Sequence, residues 1–102
     1  MSVKKQYLKT RPFCKVTFRL DKSVASGARQ AGLAADFNGW RPEKTPMKAL
    51  KNGDFTVTVE LEKGHEYQYR YVIGGGAWVT DDAAEKYVHS TYGDCHNAVV
   101  VV

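Results

Sequence analysis

Apolar and polar residues alternate in three stretches of the chain, and these set its secondary-structure class. Cys14-Lys15-Val16-Thr17-Phe18-Arg19-Leu20 has period two, with Cys14, Val16, Phe18 and Leu20 toward a core and Lys15, Thr17 and Arg19 outward. Phe55 to Leu61 repeats the pattern, with Phe55, Val57, Val59 and Leu61 on one face. Tyr67 to Ile73 sets Tyr67, Tyr69, Tyr71 and Ile73 on one side and Gln68 and Arg70 on the other. The Glu62-Lys63-Gly64 turn between the last two predicts that they pair as a hairpin.

Weaker patterns fill the gaps. The alanines of Ala28 to Ala35 also suit a helix, but Gly32 in mid-run and the turn that follows favour a short strand with Ala31 and Leu33 inward. Asp36-Phe37-Asn38-Gly39-Trp40 then reads as a sharp reversal, since Asn-Gly readily takes positive φ. Phe37 anchors inward and Trp40 is carried to the rim. Two readings of Trp40 stand at this point: one wall of a ligand surface, or a cap folded over the core. Two prolines stiffen the loop from Arg41 to Pro46. Lys51-Asn52-Gly53-Asp54 is a turn, and Gly74-Gly75-Gly76 is a tip that delivers Ala77-Trp78-Val79. Asp81 or Asp82 caps no more than a helical turn, Tyr87-Val88 makes a minor strand, and Ser90 to Asn97 is a polar loop. Ala98 to Val102 is a β-branched strand, either covered on both faces or an edge against something else.

Six to eight short antiparallel strands with regular turns predict an all-β, immunoglobulin-like β-sandwich. The antibody-type cysteine pair around a tryptophan is absent. A length of 102 residues suits one domain, divided here into a flexible basic arm over 1–12 (Lys4, Lys5, Lys9, Arg11) and a module over 13–102. No apolar run is long enough to span a membrane, and the first residues lack a secretory h-region. The expectation is a cytoplasmic protein with Cys14 and Cys95 as free thiols. The opening methionine and the end at a strand favour a free-standing protein over an excised module. A net charge of +4 without a basic aromatic face argues against nucleic acid as partner.

Enzyme readings fail in turn. His65, His89 and His96 have no metal-ligand spacing to one another or to the cysteines, and no serine sits in a nucleophile elbow. Glycoside hydrolysis needs two carboxylates across a cleft, and the neighbours Asp81 and Asp82 cannot straddle a bond. The glycine tip lacks the Lys and Ser/Thr of a phosphate loop. No catalysis, metal or cofactor is expected. Trp40, Trp78 and the outward Arg70 remain, a set that suits a neutral sugar polymer. A pyranose offers an apolar C–H face for stacking and a rim of hydroxyls for hydrogen bonds. One stacked indole is worth about 1.5–3 kcal/mol of apolar burial.

The ordered set Asp36-Phe37-Asn38-Gly39-Trp40, Gly53-Asp54-Phe55, Tyr67-Gln68-Tyr69-Arg70-Tyr71, Trp78-Val79-Thr80-Asp81, Tyr92-Gly93 and Asn97 before a valine strand resembles one family. It is the glycogen-binding carbohydrate-binding module, family forty-eight. This module occurs at the N-terminus of isoamylases, pullulanases and branching enzymes, and in the β subunit of the AMP-activated protein kinase. The resemblance runs from about Cys14 to Val102 and implies an early-set sandwich that binds α-glucan or maltooligosaccharide without catalysis. It implies that Trp40 and Trp78 stack on glucose, that Arg70 hydrogen-bonds the sugar, and that Tyr92 threads against the chain. Asp94 and His96 would contact hydroxyls, where glycogen-binding members carry threonine and asparagine. Other departures are Ala35 for glycine, Asp81-Asp82 for an Asp-Pro step, and the longer tip Gly74 to Ala77. The alternative is an early-set domain that binds no sugar. It would be an accessory module of a glycogen debranching or branching enzyme, or would self-associate through the C-terminal valines.

Overall fold

The computed structural model describes residues 3–25, 27–74, 76–81, 84–89 and 96–102. Among the described residues nine strands form two antiparallel sheets: β1 Val3–Tyr7, β2 Phe13–Leu20, β3 Ala31–Ala35, β4 Lys48–Ala49, β5 Phe55–Glu62, β6 Glu66–Ile73, β7 Ala77–Val79, β8 Lys86–His89 and β9 His96–Val101. One sheet runs β1-β2-β5-β4. The other runs β3-β6-β9-β8, with β7 also paired to β6. A short helix α1, Lys22–Ala25, is the only α-helix among the described residues, and no helix there is long and apolar enough to cross a membrane. The predicted all-β immunoglobulin-like sandwich is what the chain adopts.

The core lies between the sheets where the alternation places it. Cys14, Val16, Phe18 and Leu20 from β2 meet Leu33 and Ala35 from β3, Tyr69 and Tyr71 from β6, and Ala98 and Val100 from β9. Phe18 packs edge-on against Tyr69 at 4.9 Å between ring centres. Phe37 points inward, 6.3 Å from Phe18 and 5.9 Å from Tyr67. Both tyrosine hydroxyls of this core need an acceptor, and buried Asp81 supplies it at 2.7 Å to Tyr69 and 3.4 Å to Tyr71. Asp81 thus serves the core rather than a helix cap.

Two expectations change. The segment read as a solvated arm contains β1, paired with β2 from Val3↔Phe18 to Tyr7↔Cys14. Its weak alternation reflects an edge strand that is largely exposed. The hairpin expected between Phe55–Leu61 and Tyr67–Ile73 does not form: β5 pairs with β2, and β6 pairs with β3, β7 and β9. The linking turn crosses from sheet to sheet. Its Lys63 amide donates to Pro12 O, just before β2 of the first sheet, at 2.9 Å, and its Gly64 amide to Val102 O, just after β9 of the second, at 2.7 Å. Alternation looks the same in a hairpin and in such an arch, because each strand needs only one apolar face. The hairpin is instead β6 with β7, closed around the glycine tip. Of the two readings of Ala98 to Val102, the strand covered on both faces holds: β9 lies between β6 and β8 and Asn97 to Val100 are buried.

Candidate functional site

The outer face of the second sheet holds the candidate residues. Side chains directly opposite in an antiparallel pair share a face. Gln68, Arg70 and Val72 point away from the core tyrosines, and β7 sets Trp78 opposite Val72. On the other side of β6, Ala34 lies opposite Arg70 and Gly32 opposite Val72. These small residues leave room for the long side chains and for the loop above them. That loop comes very close: a Cβ on Gly32 would stand 2.6 Å from Pro42 O and 2.9 Å from Pro42 Cβ. All five residues of β3 are therefore buried, the outward ones included. Beside Val72 the face opens into a cleft of about 270 Å³ bounded by Gly32, Pro42, Pro46 and Gly74.

Trp40 is positioned by the turn that ends β3. Asp36–Asn38 make one 3-10 turn, Gly39 follows at φ 69°, and the Trp40 amide returns to Ala35 O at 3.0 Å. This is a helix-terminating closure with glycine in the left-handed position. The positive φ falls on Gly39 and Trp40 (φ 62°) rather than on Asn38. Asn38 spends its side chain instead. Its Nδ2 donates to Leu33 O (2.7 Å) and Thr45 Oγ1 (2.9 Å), and its Oδ1 accepts from the Ala35 (3.0 Å) and Arg41 (3.2 Å) amides. One amide ties strand, turn and proline loop together. A bulky residue at positive φ is rare and costs about 1–2 kcal/mol, and such strain concentrates at functional sites.

Asp36 then aims the indole. Its Oδ1 accepts the Trp40 indole N–H at 3.1 Å, and its Oδ2 accepts the Gln68 amide at 2.8 Å. β3 stops pairing at Ala35↔Tyr69, so the carboxylate takes up the next donor of β6. Trp40 is half-buried. Trp78 is 43% exposed, with the Arg70 guanidinium 5.8 Å from its ring centre and Arg70 Nη2 donating to Trp78 O at 3.4 Å. The Trp40 anchor at Gln68 and the Trp78 anchor at Val72 are four residues apart on one strand, about 13 Å.

The other predicted site residues fall differently. Tyr92 and Asp94 lie outside the described residues. His96 pairs with His89 at the start of β9. By alternation it takes the same side as core-facing Ala98, not the side of Arg70. Asn97 takes the Arg70 side, and its Nδ2 donates to Gln68 Oε1 at 3.1 Å. The structure therefore adds Asp36, Gln68 and Asn97 to the neighbourhood of the two tryptophans. Gln68 was legible as an outward residue next to Arg70. Asp36 and Asn97 act across elements and leave no local signal. The carboxyls held below their usual range, Asp21 and Asp54, lie elsewhere. The described residues contain no group of three or more His, Cys, Asp or Glu arranged for a metal.

The family model for the glycogen recognition site of AMP-activated protein kinase matches residues 23–102. That span begins inside α1, so β1 and β2 lie outside it. Comparison with curated proteins gave no match. The match takes in the Asp36–Trp40 turn, Arg70 and Trp78, and the chain belongs to this family of glycogen-binding carbohydrate-binding modules.

Proposed function

We propose that the outer face of β6 and β7 binds α-glucan, a glycogen- or starch-like polymer or its maltooligosaccharides, without catalysing any reaction. One observation carries this reading. Trp78 stands exposed with Arg70 against it, in line along β6 with a Trp40 held in a strained backbone by Asp36. The indoles offer apolar faces for sugar stacking, and Arg70 and Gln68 offer donors and acceptors for hydroxyls, with buried Asn97 holding Gln68 from behind. Two stacked indoles less the cost of association give an affinity on the order of millimolar to micromolar. That is weak for one short sugar and sufficient on a polymer with many sites.

The test is affinity electrophoresis in glycogen or amylose, with β-cyclodextrin titrated against tryptophan fluorescence. Retardation of the wild type, mostly lost in Trp40→Ala and in Trp78→Ala, is expected. A wild type that is not retarded, or variants that run like it, would overturn the proposal.

A further inference from the structure

We propose that His89 and His96 form a two-histidine site for a divalent transition-metal ion, zinc first. The two residues are direct partners in the β8–β9 register, so the backbone itself fixes their spacing. Their ring centres are 5.3 Å apart and their planes are 80° apart. A tetrahedral zinc bound ~2.0–2.1 Å from one nitrogen of each ring sets the ring centres ~5 Å apart. The observed separation already matches. Rotation of a ring about its soft terminal torsion then turns a nitrogen toward the ion, with no movement of the strands.

The surroundings suit a bound ion. Both histidines are exposed, so water completes the coordination sphere. Thr80 Oγ1 donates to His96 O at 2.7 Å and holds the backbone of that ligand in place. Neutral imidazole is the common protein ligand for zinc, copper and nickel. The third histidine belongs elsewhere: His65 faces Glu62 at 3.4 Å and Tyr67. With two protein ligands the site is exchangeable, unlike a structural zinc site with four. Its location follows from the topology, because His89 and His96 are the pair that closes the β8–β9 connection. A metal there would clip that connection at its base.

Isothermal titration of Zn²⁺ into the metal-free full chain tests this, with wild type, His89→Ala, His96→Ala, His65→Ala and Cys95→Ser compared. Imidazole proton resonances read out the same titration, and circular dichroism checks the fold of each variant. The expected result is one ion per chain, with affinity weakened about tenfold or more in both His89→Ala and His96→Ala and unchanged in His65→Ala and Cys95→Ser. Absence of binding to the wild type would overturn the proposal. So would a loss confined to one of the two histidine variants, or one that follows His65 or Cys95. The readout is metal binding itself and needs no glucan.

Discussion

The Asp36 carboxylate holds the Trp40 indole at 3.1 Å with one oxygen while the other takes the Gln68 amide at 2.8 Å. One side chain thus ties the turn's tryptophan to the strand that carries Arg70. Asp36→Ala releases both. Fixing a side chain in advance is worth about 0.5–1.5 kcal/mol, or roughly two- to thirteenfold in affinity. Glucan affinity should fall by that factor in fluorescence titration, with stability reduced by about 1–2 kcal/mol in urea unfolding.

Trp40 itself carries backbone strain at φ 62°. Glycine adopts that conformation without penalty, whereas alanine does not. Trp40→Gly should be more stable than Trp40→Ala by about 1 kcal/mol, although both lose the indole and most glucan retardation. Equal melting temperatures for the two would argue against strain at this position.

Asn38 makes four hydrogen bonds, two to β3 and two to the proline loop. Asn38→Ala leaves the Leu33 carbonyl and the Ala35 amide without these partners, at a cost of about 2–4 kcal/mol in denaturant unfolding. Asn38→Asp keeps the acceptor and loses the donors, so it should unfold between the wild type and Asn38→Ala or close to the latter.

The approach of Pro42 to Gly32 leaves no space for a methyl group. Gly32→Ala should cost about 1–3 kcal/mol by overpacking, seen as a lower melting temperature. The proline loop, not the sheet, should move, which backbone amide shifts at Glu43 and Thr45 would report.

Asp54 sets the acid limb of stability. Its side-chain bonds from Arg19, then the Lys22 amide, hold its carboxyl below the ordinary 3.8. A carboxyl lowered in the folded state contributes stability that is present above its unfolded value and is lost as pH falls through the folded one. Asp21, held low chiefly by the Ser23 amide, acts in the same direction. Stability should therefore decline as pH drops below 3.8, and Asp54→Asn should flatten that decline. An identical acid limb in the variant would refute the assignment.

The alternation in residues 14–20, 55–61 and 67–73 was enough to find much of the core and the outward Arg70, and the glycine tip pointed to Trp78. It could not say which strands pair. Each strand buries one face whether its neighbour in sequence lies beside it or across the core, and this is how the β5–β6 arch was read as a hairpin. The turn at Asp36–Trp40 was legible as a bend, with Phe37 inward. What Asp36 and Asn38 do there was not, because their partners Gln68 and Thr45 lie in other elements. The edge strand β1 hid for a related reason: with little burial it carries little pattern.

The arch between β5 and β6 also bears on how the protein folds. Since neighbours in sequence cross between sheets, the second sheet is assembled from segments far apart along the chain, with Ala31–Ala35 beside Tyr69–Ile73 and Glu66–Tyr69 beside Ala98–Val101. Such non-local pairing slows folding, because long loops must close before any contact rewards them. β9, the last in chain order of the strands described, sits inside that sheet between β6 and β8. The strand bearing Arg70 therefore has an open flank until residue 101 is available, and the face proposed to bind glucan is among the last parts of the described fold to become whole.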